Sequence, residues 1–251
     1  MKRLVLFALG LSLAVSLQAS PASQRVWVAR FVFPPGGSLA IENVQGTVSV
    51  EAWERGEVAV TVTKTALAPT DRLDDVRVSA ESGPGTLTLR TVYPSDLREP
   101  IRVDYQVRVP QQIRLERLRT LVGDIEVHGV DGPTDARSLH GNIKAEDVAG
   151  PVVAQALTGN IAVSLRTLPG PSAPLLLDTV SGNLDLLLPP GANADLELRT
   201  VAGRIEGNYL FEASAVPGDG TRRARLGRGG VQVRLRTIRG DIRVGERADL
   251  L

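Results

Sequence analysis

The chain has 251 residues, with 29 Lys and Arg against 28 Asp and Glu, for a net charge of +1. That balance argues against bulk electrostatic binding of nucleic acid, and an aromatic content of 4% leaves little for stacking on single strands or sugars. There is no cysteine, so disulfides and thiolate metal sites do not enter, and a chain of this length can bury a core without such staples.

The first segment reads as a secretory leader. Met1-Lys2-Arg3 is basic, Leu4 to Leu17 is an uncharged apolar run of 14 residues, and Gln18-Ala19-Ser20-Pro21-Ala22 supplies small residues for cleavage. The run is shorter than the ~20 residues a spanning helix needs. Residues 1–19 are expected to be a signal peptide cleaved after Ala19. Losing Lys2 and Arg3 with it lowers the net charge by two, to −1. Without cysteine, lipid attachment at a processed Cys does not apply, and no later run is apolar enough for a membrane helix.

Residues 20–251 are expected to form a single β-repeat domain, irregular over 25–110 and regular over 111–245. In the irregular part, Arg25–Phe33, Ser38–Ile41, Thr47–Trp53, Glu57–Lys64, Val76–Ala80, Thr86–Val92 and Ile101–Val109 read as strands. Trp53-Glu54-Arg55-Gly56-Glu57 reads as a hairpin turn, and Thr70 to Val76 as a loop with mild helical character. An antiparallel sheet built from this part would cover the open end of a stack, since uncovered sheet ends pair edge to edge.

From Leu118 onward one phrase recurs: LRTLVGDIEV (Leu118–Val127), ARSLHGNIKA (Ala136–Ala145), AQALTGNIAV (Ala154–Val163), LDTVSGNLDL (Leu177–Leu186), LRTVAGRIEG (Leu198–Gly207) and LRTIRGDIRV (Leu235–Val244). A diverged early copy is IENVQGTVSV (Ile41–Val50). Gly123, Gly141 and Gly159 are 18 residues apart, and Gly182, Gly203 and Gly240 follow at 23, 21 and 37. A unit of about 18–21 residues with insertions is too short for a propeller blade or a helical repeat.

Two and four residues after each glycine the columns are apolar (Ile125, Ile143, Ile161; Val127, Ala145, Val163), and polar residues alternate with them. That is a strand with one buried face. Before the glycine a second strand places Leu118, Ala136 and Leu177 inward, then Thr120, Ser138 and Thr179. The apolar residue two before the glycine (Val44, Leu121, Leu139, Leu157, Val180, Val201, Ile238) is expected to tuck under the corner. Each glycine (Gly46, Gly123, Gly141, Gly159, Gly182, Gly203, Gly240) is expected to turn the corner, often through positive φ. The adjoining Asp124, Asn142, Asn160, Asn183 and Asp241 are expected to hold the turn by bonding their own backbone. One repeat cannot bury its apolar face alone, so the expected fold is an all-β parallel β-helix-like stack, a β-solenoid of two sheets, with an irregular N-terminal β-region.

These residues resemble the bacterial "putative adhesin" β-strand-repeat family, a domain of unknown function found in many exported proteins. The likeness rests on VSVEAWERGEVAVTVTK around Trp53, on Val103–Pro110 followed by Ile113 and Leu115, and on the G-[ND]-I phrases. It also rests on LLLPPGANADLELRTVAGRI (Leu186–Ile205) with the closing Gly227–Val244, and it covers roughly Val26 to Val244. The resemblance implies adhesion by label only and brings no catalytic residues.

Carboxylates of the type a glycan hydrolase needs are present: Glu126, Asp147, Asp185 and Glu206. Most fall in outward columns, where a solvated acid is expected anyway. His128 and His140 lie beside turns without an evident oriented partner. The Asp/Asn column could bind calcium, but Asn dominates it and Arg204 interrupts it, so a ladder of stacked turns explains it better. Arg119, Arg137, Arg199 and Arg236 form a column that could meet an anionic glycan or lipid headgroup, and the loop Thr221–Arg225 with Arg228 adds positive charge. Asp135, Asp178 and Glu197 stand close enough to balance that column into a solvated face.

The expected function is therefore that of an exported cell-envelope structural or binding protein, periplasmic or extracellular, without catalysis or cofactor. Its partner would be a cell-envelope glycan or another envelope protein. A glycan-active enzyme on the same scaffold and an accessory to envelope-stress signalling are the alternatives.

Overall fold

A computed structural model describes residues 23–173, 175–213 and 220–247; the expected leader lies outside them. The described chain is all-β apart from a single 3₁₀ turn at Arg72–Asp74, within the stretch read as a loop. The N-terminal part gives β1 (Gln24–Val32), β2 (Ser38–Glu42), β3 (Val48–Trp53), β4 (Glu57–Ala66), β5 (Arg77–Gly83), β6 (Thr86–Val92) and β7 (Ile101–Pro110). The regular part gives β8 (Arg114–Val122), β9 (Ile125–His128), β10 (Thr134–His140), β11 (Ile143–Ala149), β12 (Val152–Thr158), β13 (Ile161–Thr167), β14 (Leu175–Ser181) and β15 (Leu184–Leu188). The remainder is β16 (Ala194–Ala202), β17 (Ile205–Gly207), β18 (Glu212–Ala213), β19 (Thr221–Leu226), β20 (Val231–Arg239) and β21 (Ile242–Glu246).

The strands form two large mixed sheets. One has ten strands in the order β1-β4-β7-β3-β9-β11-β13-β15-β21-β17. The other has eleven, β18-β19-β16-β20-β14-β12-β10-β8-β2-β6-β5. Neither closes on itself, so β1, β17, β18 and β5 are edges. In the regular part each copy of the phrase gives one strand to each sheet, with the glycine between them. Ile125 pairs with Ile143 and Ile143 with Ile161, in parallel register. On the other sheet Leu118, Ala136, Ala154 and Leu177 align likewise. Their side chains meet in one buried apolar cluster, which is why the alternation in sequence is strict on these strands.

The corner glycines are needed less for bending than for close approach. A Cβ on Gly141 would lie 1.9 Å from the carbonyl oxygen of Gly123, and one on Gly182 would lie 2.0 Å from that of Gly159. Gly123, Gly141, Gly159, Gly182 and Gly240 also have φ between +143° and +157°; Gly203 is under the steric constraint alone, since a Cβ on it would lie 1.9 Å from Gly240 O. The Asp/Asn column departs from expectation. These side chains do not bond their own backbone; each reaches the next layer. Asp124 Oδ1 accepts from Asn142 N at 2.7 Å, Asn142 Oδ1 from Asn160 N at 2.9 Å, and Asn160 Oδ1 from Asn183 N at 2.8 Å. Asn183 then accepts from Asp241 N, and Asp241 from Arg204 N.

The last two copies do not stack in chain order. β20 pairs with β14 on one side and β16 on the other, so the sixth copy lies between the fourth and fifth. β19, antiparallel on the far side of β16, takes the chain to the outside first. Gly227, Gly229 and Gly230, all at positive φ, then carry it back past the end of β16. There Asn193 Oδ1 accepts from Arg228 N at 2.8 Å and Asp195 Oδ2 from Gly230 N at 3.0 Å. Thr221–Arg225, read as a basic loop, is this antiparallel strand.

The N-terminal part does not form one separate antiparallel sheet. It extends both sheets at the same end: β1, β4 and β7 pair antiparallel and β3 joins in parallel, while the β5/β6 hairpin continues the other sheet through β2. The turn after Trp53 joins two strands as expected, but they do not form a hairpin: β7 lies between β3 and β4, pairing with both. In the turn the indole N–H donates to Glu57 O at 2.8 Å and Arg55 lies over the ring at 5.1 Å. Beneath the first corner, Tyr105 Oη and Thr91 Oγ1 are 2.6 Å apart, and Thr91 donates to Asn43 Oδ1 at 3.0 Å. Burial pushes the Tyr105 hydroxyl up to about 12.

Candidate functional site

The outward face of the eleven-stranded sheet carries two rows of side chains that run across the strands. The register aligns Arg119 with Arg137, Arg137 with Gln155, Gln155 with Asp178, Asp178 with Arg236, and Arg236 with Arg199. The row is therefore two adjacent arginine pairs separated by Gln155 and Asp178. Beyond Arg119 it continues to Glu42 and then Arg90.

The second row corrects an expectation. The apolar residues two before the glycines do not tuck under the corners. Val44, Leu121, Leu139, Leu157, Ile238 and Val201 are 36–67% exposed, and Val180 is half-buried. They share strand parity with the arginines, since successive side chains alternate between faces. Six strand spacings make the row roughly 29 Å long. Between the rows lies an open furrow of about 380 Å³, lined by Arg119, Leu121, Arg137, Leu139, Gln155 and Leu157 among others. Cross-strand contact within the row covers only part of each side chain.

The charges here are unequally matched. Arg137 forks onto Asp135 at 2.9 and 3.1 Å, and Arg236 reaches Glu197 at 3.3 Å. Glu42 is held by Arg90 at 2.9 Å. Burial pushes the Asp178 carboxyl up, and Arg236 pulls against this without cancelling it. Arg119 and Arg199 are exposed and, among the described residues, have no carboxylate within 4.0 Å. The other basic side chains singled out in the sequence are differently placed: Arg225 is bound to Asp195 at 2.9 Å, and Arg223 lies 3.7 Å from Glu197.

The ten-stranded sheet presents a different outer face. Arg243 stands between Asp185 at 3.6 Å and Glu206 at 3.5 Å, and Lys144 meets Glu146 at 2.9 Å. Two of the carboxylates considered for glycan hydrolysis thus flank one arginine. Glu126 lies exposed beside Lys144 in the ladder. Asp147 sits apart, with φ at 54°, where it accepts from Arg166 at 2.9 Å and Arg247 at 2.7 Å. Arg166 also binds Asp131. Burial pushes the Asp147 carboxyl up, but the hydrogen bonds and charges of Arg247 and Arg166 outweigh it and hold the group below its ordinary value. His128 and His140 are both exposed and lie on different sheets. Among the described residues no group of three or more His, Asp or Glu side chains is placed to hold a metal ion.

No family model matches the chain, and no curated protein matches it. Several solved structures are similar, three of them as follows. A "putative cell adhesion protein" from Clostridium sporogenes is 10% identical, covering 90% of this chain and 100% of that one at a TM-score of 0.49. A "putative adhesin" from Bacteroides fragilis is 11% identical over 90% and 98% of the two chains, at 0.46. A "putative lipid binding protein" from Parabacteroides distasonis is 8% identical over 89% and 97%, at 0.38. Among the described residues no helix is long and apolar enough to cross a membrane.

Proposed function

We propose that the chain is an exported, non-catalytic binding protein of the cell envelope, and that it binds an anionic envelope component through the outward face of its eleven-stranded sheet. The regular part, 111–245, serves on this reading as a stacked-repeat scaffold within one β domain that begins after the leader. Export rests on the leader-like order of charge, apolar run and small residues at the start of the sequence. The observation that carries the binding face is the pair Arg119 and Arg199, exposed and, among the described residues, without carboxylate partners, in a row that also holds Arg137 and Arg236. On the opposite sheet, Asp185 and Glu206 lie 3.6 and 3.5 Å from Arg243, an ion pairing that favours binding over hydrolysis. The names of the three similar structures speak of adhesion and lipid binding, but the reading rests on this face.

The test is retention on immobilised anionic polysaccharide and on beads bearing anionic lipid headgroups, comparing the native chain with R119Q/R137Q/R199Q/R236Q. Retention lost in the variant supports the reading, and equal retention on both matrices retires it. Accumulation of reducing ends or unsaturated sugars with the purified protein would show an enzyme instead.

A further inference from the structure

We infer that the partner of this face is an anionic lipid bilayer surface, with the apolar row entering the interfacial layer and the arginines meeting phosphate groups. This rests on the proposed binding face and goes beyond it by using what the arginines alone do not explain. Leu121, Leu139, Leu157 and Ile238 occupy outward positions in four strands, where a solvated sheet would carry polar residues. They form a straight row, not a closed cavity, so a single bound molecule would be covered on one side only. A continuous apolar row bordered by cations matches the apolar-to-anionic boundary of a bilayer interface. Arginine also suits that depth, because its stem packs on apolar neighbours while its guanidinium reaches outward. A glycan would use the arginines and leave the row exposed.

The carboxylates on this face oppose the charge match only weakly. Glu42, Asp135 and Glu197 are each already bound to an arginine, and Asp178 lies opposite Arg236 in the register. Arg119 and Arg199 are left over, with no carboxylate within 4.0 Å among the described residues. The opposite sheet differs in its charges: Leu187 and, on edge strand β1, Val26, Val28 and Val32 are exposed there, but the cations near them are held by carboxylates, Arg243 by Asp185 and Glu206, Lys144 by Glu146, Arg25 by Asp74 and Arg30 by Glu57.

The experiment is flotation of the full chain with vesicles of phosphatidylglycerol and phosphatidylcholine, against phosphatidylcholine alone. Three variants are compared: L121T/L139T/L157T, which keeps strand-favouring residues; R119Q/R199Q; and L187T on the other sheet. Thermal unfolding confirms that each folds. The native chain and L187T should float with the anionic vesicles and not with the neutral ones. Both face variants should bind about tenfold more weakly or worse, and added salt should release the protein. Failure of the native chain to float, or undiminished binding by the leucine variant, overturns the inference. So does a leucine variant that turns a dimer into a monomer without changing flotation, which would make a second copy the occupant. If polysaccharide retention depends on the arginines while vesicles are ignored, the binding face stands and the bilayer assignment falls.

Discussion

The hydroxyl of Thr237 donates to the carbonyl oxygen of Gly182 at 3.0 Å, joining one layer's inward strand to the corner of the layer beneath. The same bond recurs from Thr120 to Gly46, Ser138 to Gly123, Thr179 to Gly159 and Thr200 to Gly240. Ala156 occupies the equivalent position in its copy and has no hydroxyl. Replacing Thr237 by Val removes the donor from a buried site and should cost about 1–2 kcal/mol in chemical denaturation. Ala156→Ser should do the reverse, supplying a donor towards Gly141 and raising stability by up to about 1 kcal/mol. If Ala156→Ser destabilises as much as Thr237→Val, these hydroxyls do not tie the layers together.

Close approach at the corners gives a sharper contrast. Gly141→Ala forces a Cβ to 1.9 Å from Gly123 O, so the layers must separate. The expected loss is roughly 3 kcal/mol or more. Gly170→Ala meets nothing within 4 Å and should change stability by less than about 0.5 kcal/mol. Equal melting temperatures for the two variants would show that the corner glycines are not sterically required.

Most of the scaffold was legible in the sequence because burial on one face imposes a period of two, and seven copies of one phrase repeat it. All seven N-terminal strands lie within a few residues of where the β-runs placed them. What was not legible came from competition between signals. Leu121 has the parity of Arg119, which pointed outward, but its apolar character pointed inward; parity prevailed. The exchanged order of the last two copies depends on β19 pairing outside β16, and the 37-residue gap revealed only that an insertion existed. The Asp/Asn column was visible, but a bond to the next layer and a bond to the same turn need the same residue types.

The Asp147 cluster gives the chain an acid-sensitive point. Its folded value lies below its ordinary one, so its contribution is fully present above the unfolded value, near pH 3.9, and is lost as pH falls through the folded value. Asp147→Asn should cost about 1 kcal/mol at neutral pH, in keeping with a partly exposed ion-pair network, and should flatten the fall in stability below about pH 4. Denaturant midpoints between pH 2 and 7 check this. An unchanged acid limb in the variant would remove Asp147 from the account.

Arg119 and Arg199 should matter for binding and hardly at all for folding. R119Q/R199Q should unfold within about 0.5 kcal/mol of the native chain, because among the described residues neither arginine has an ion pair to lose. A larger loss would mean that the pair serves the fold, and equilibrium denaturation alone separates the two roles.

The native chain contains no cysteine, so a single thiol can be placed on either sheet and labelled without ambiguity. Leu139→Cys and Leu187→Cys, each carrying an environment-sensitive fluorophore, report from the two outer faces during titration with phosphatidylglycerol vesicles. A blue shift and gain in emission from position 139, with position 187 unchanged, is the predicted result. A response at 187 equal to that at 139, or none at 139, would contradict the assignment of the eleven-stranded sheet as the binding face.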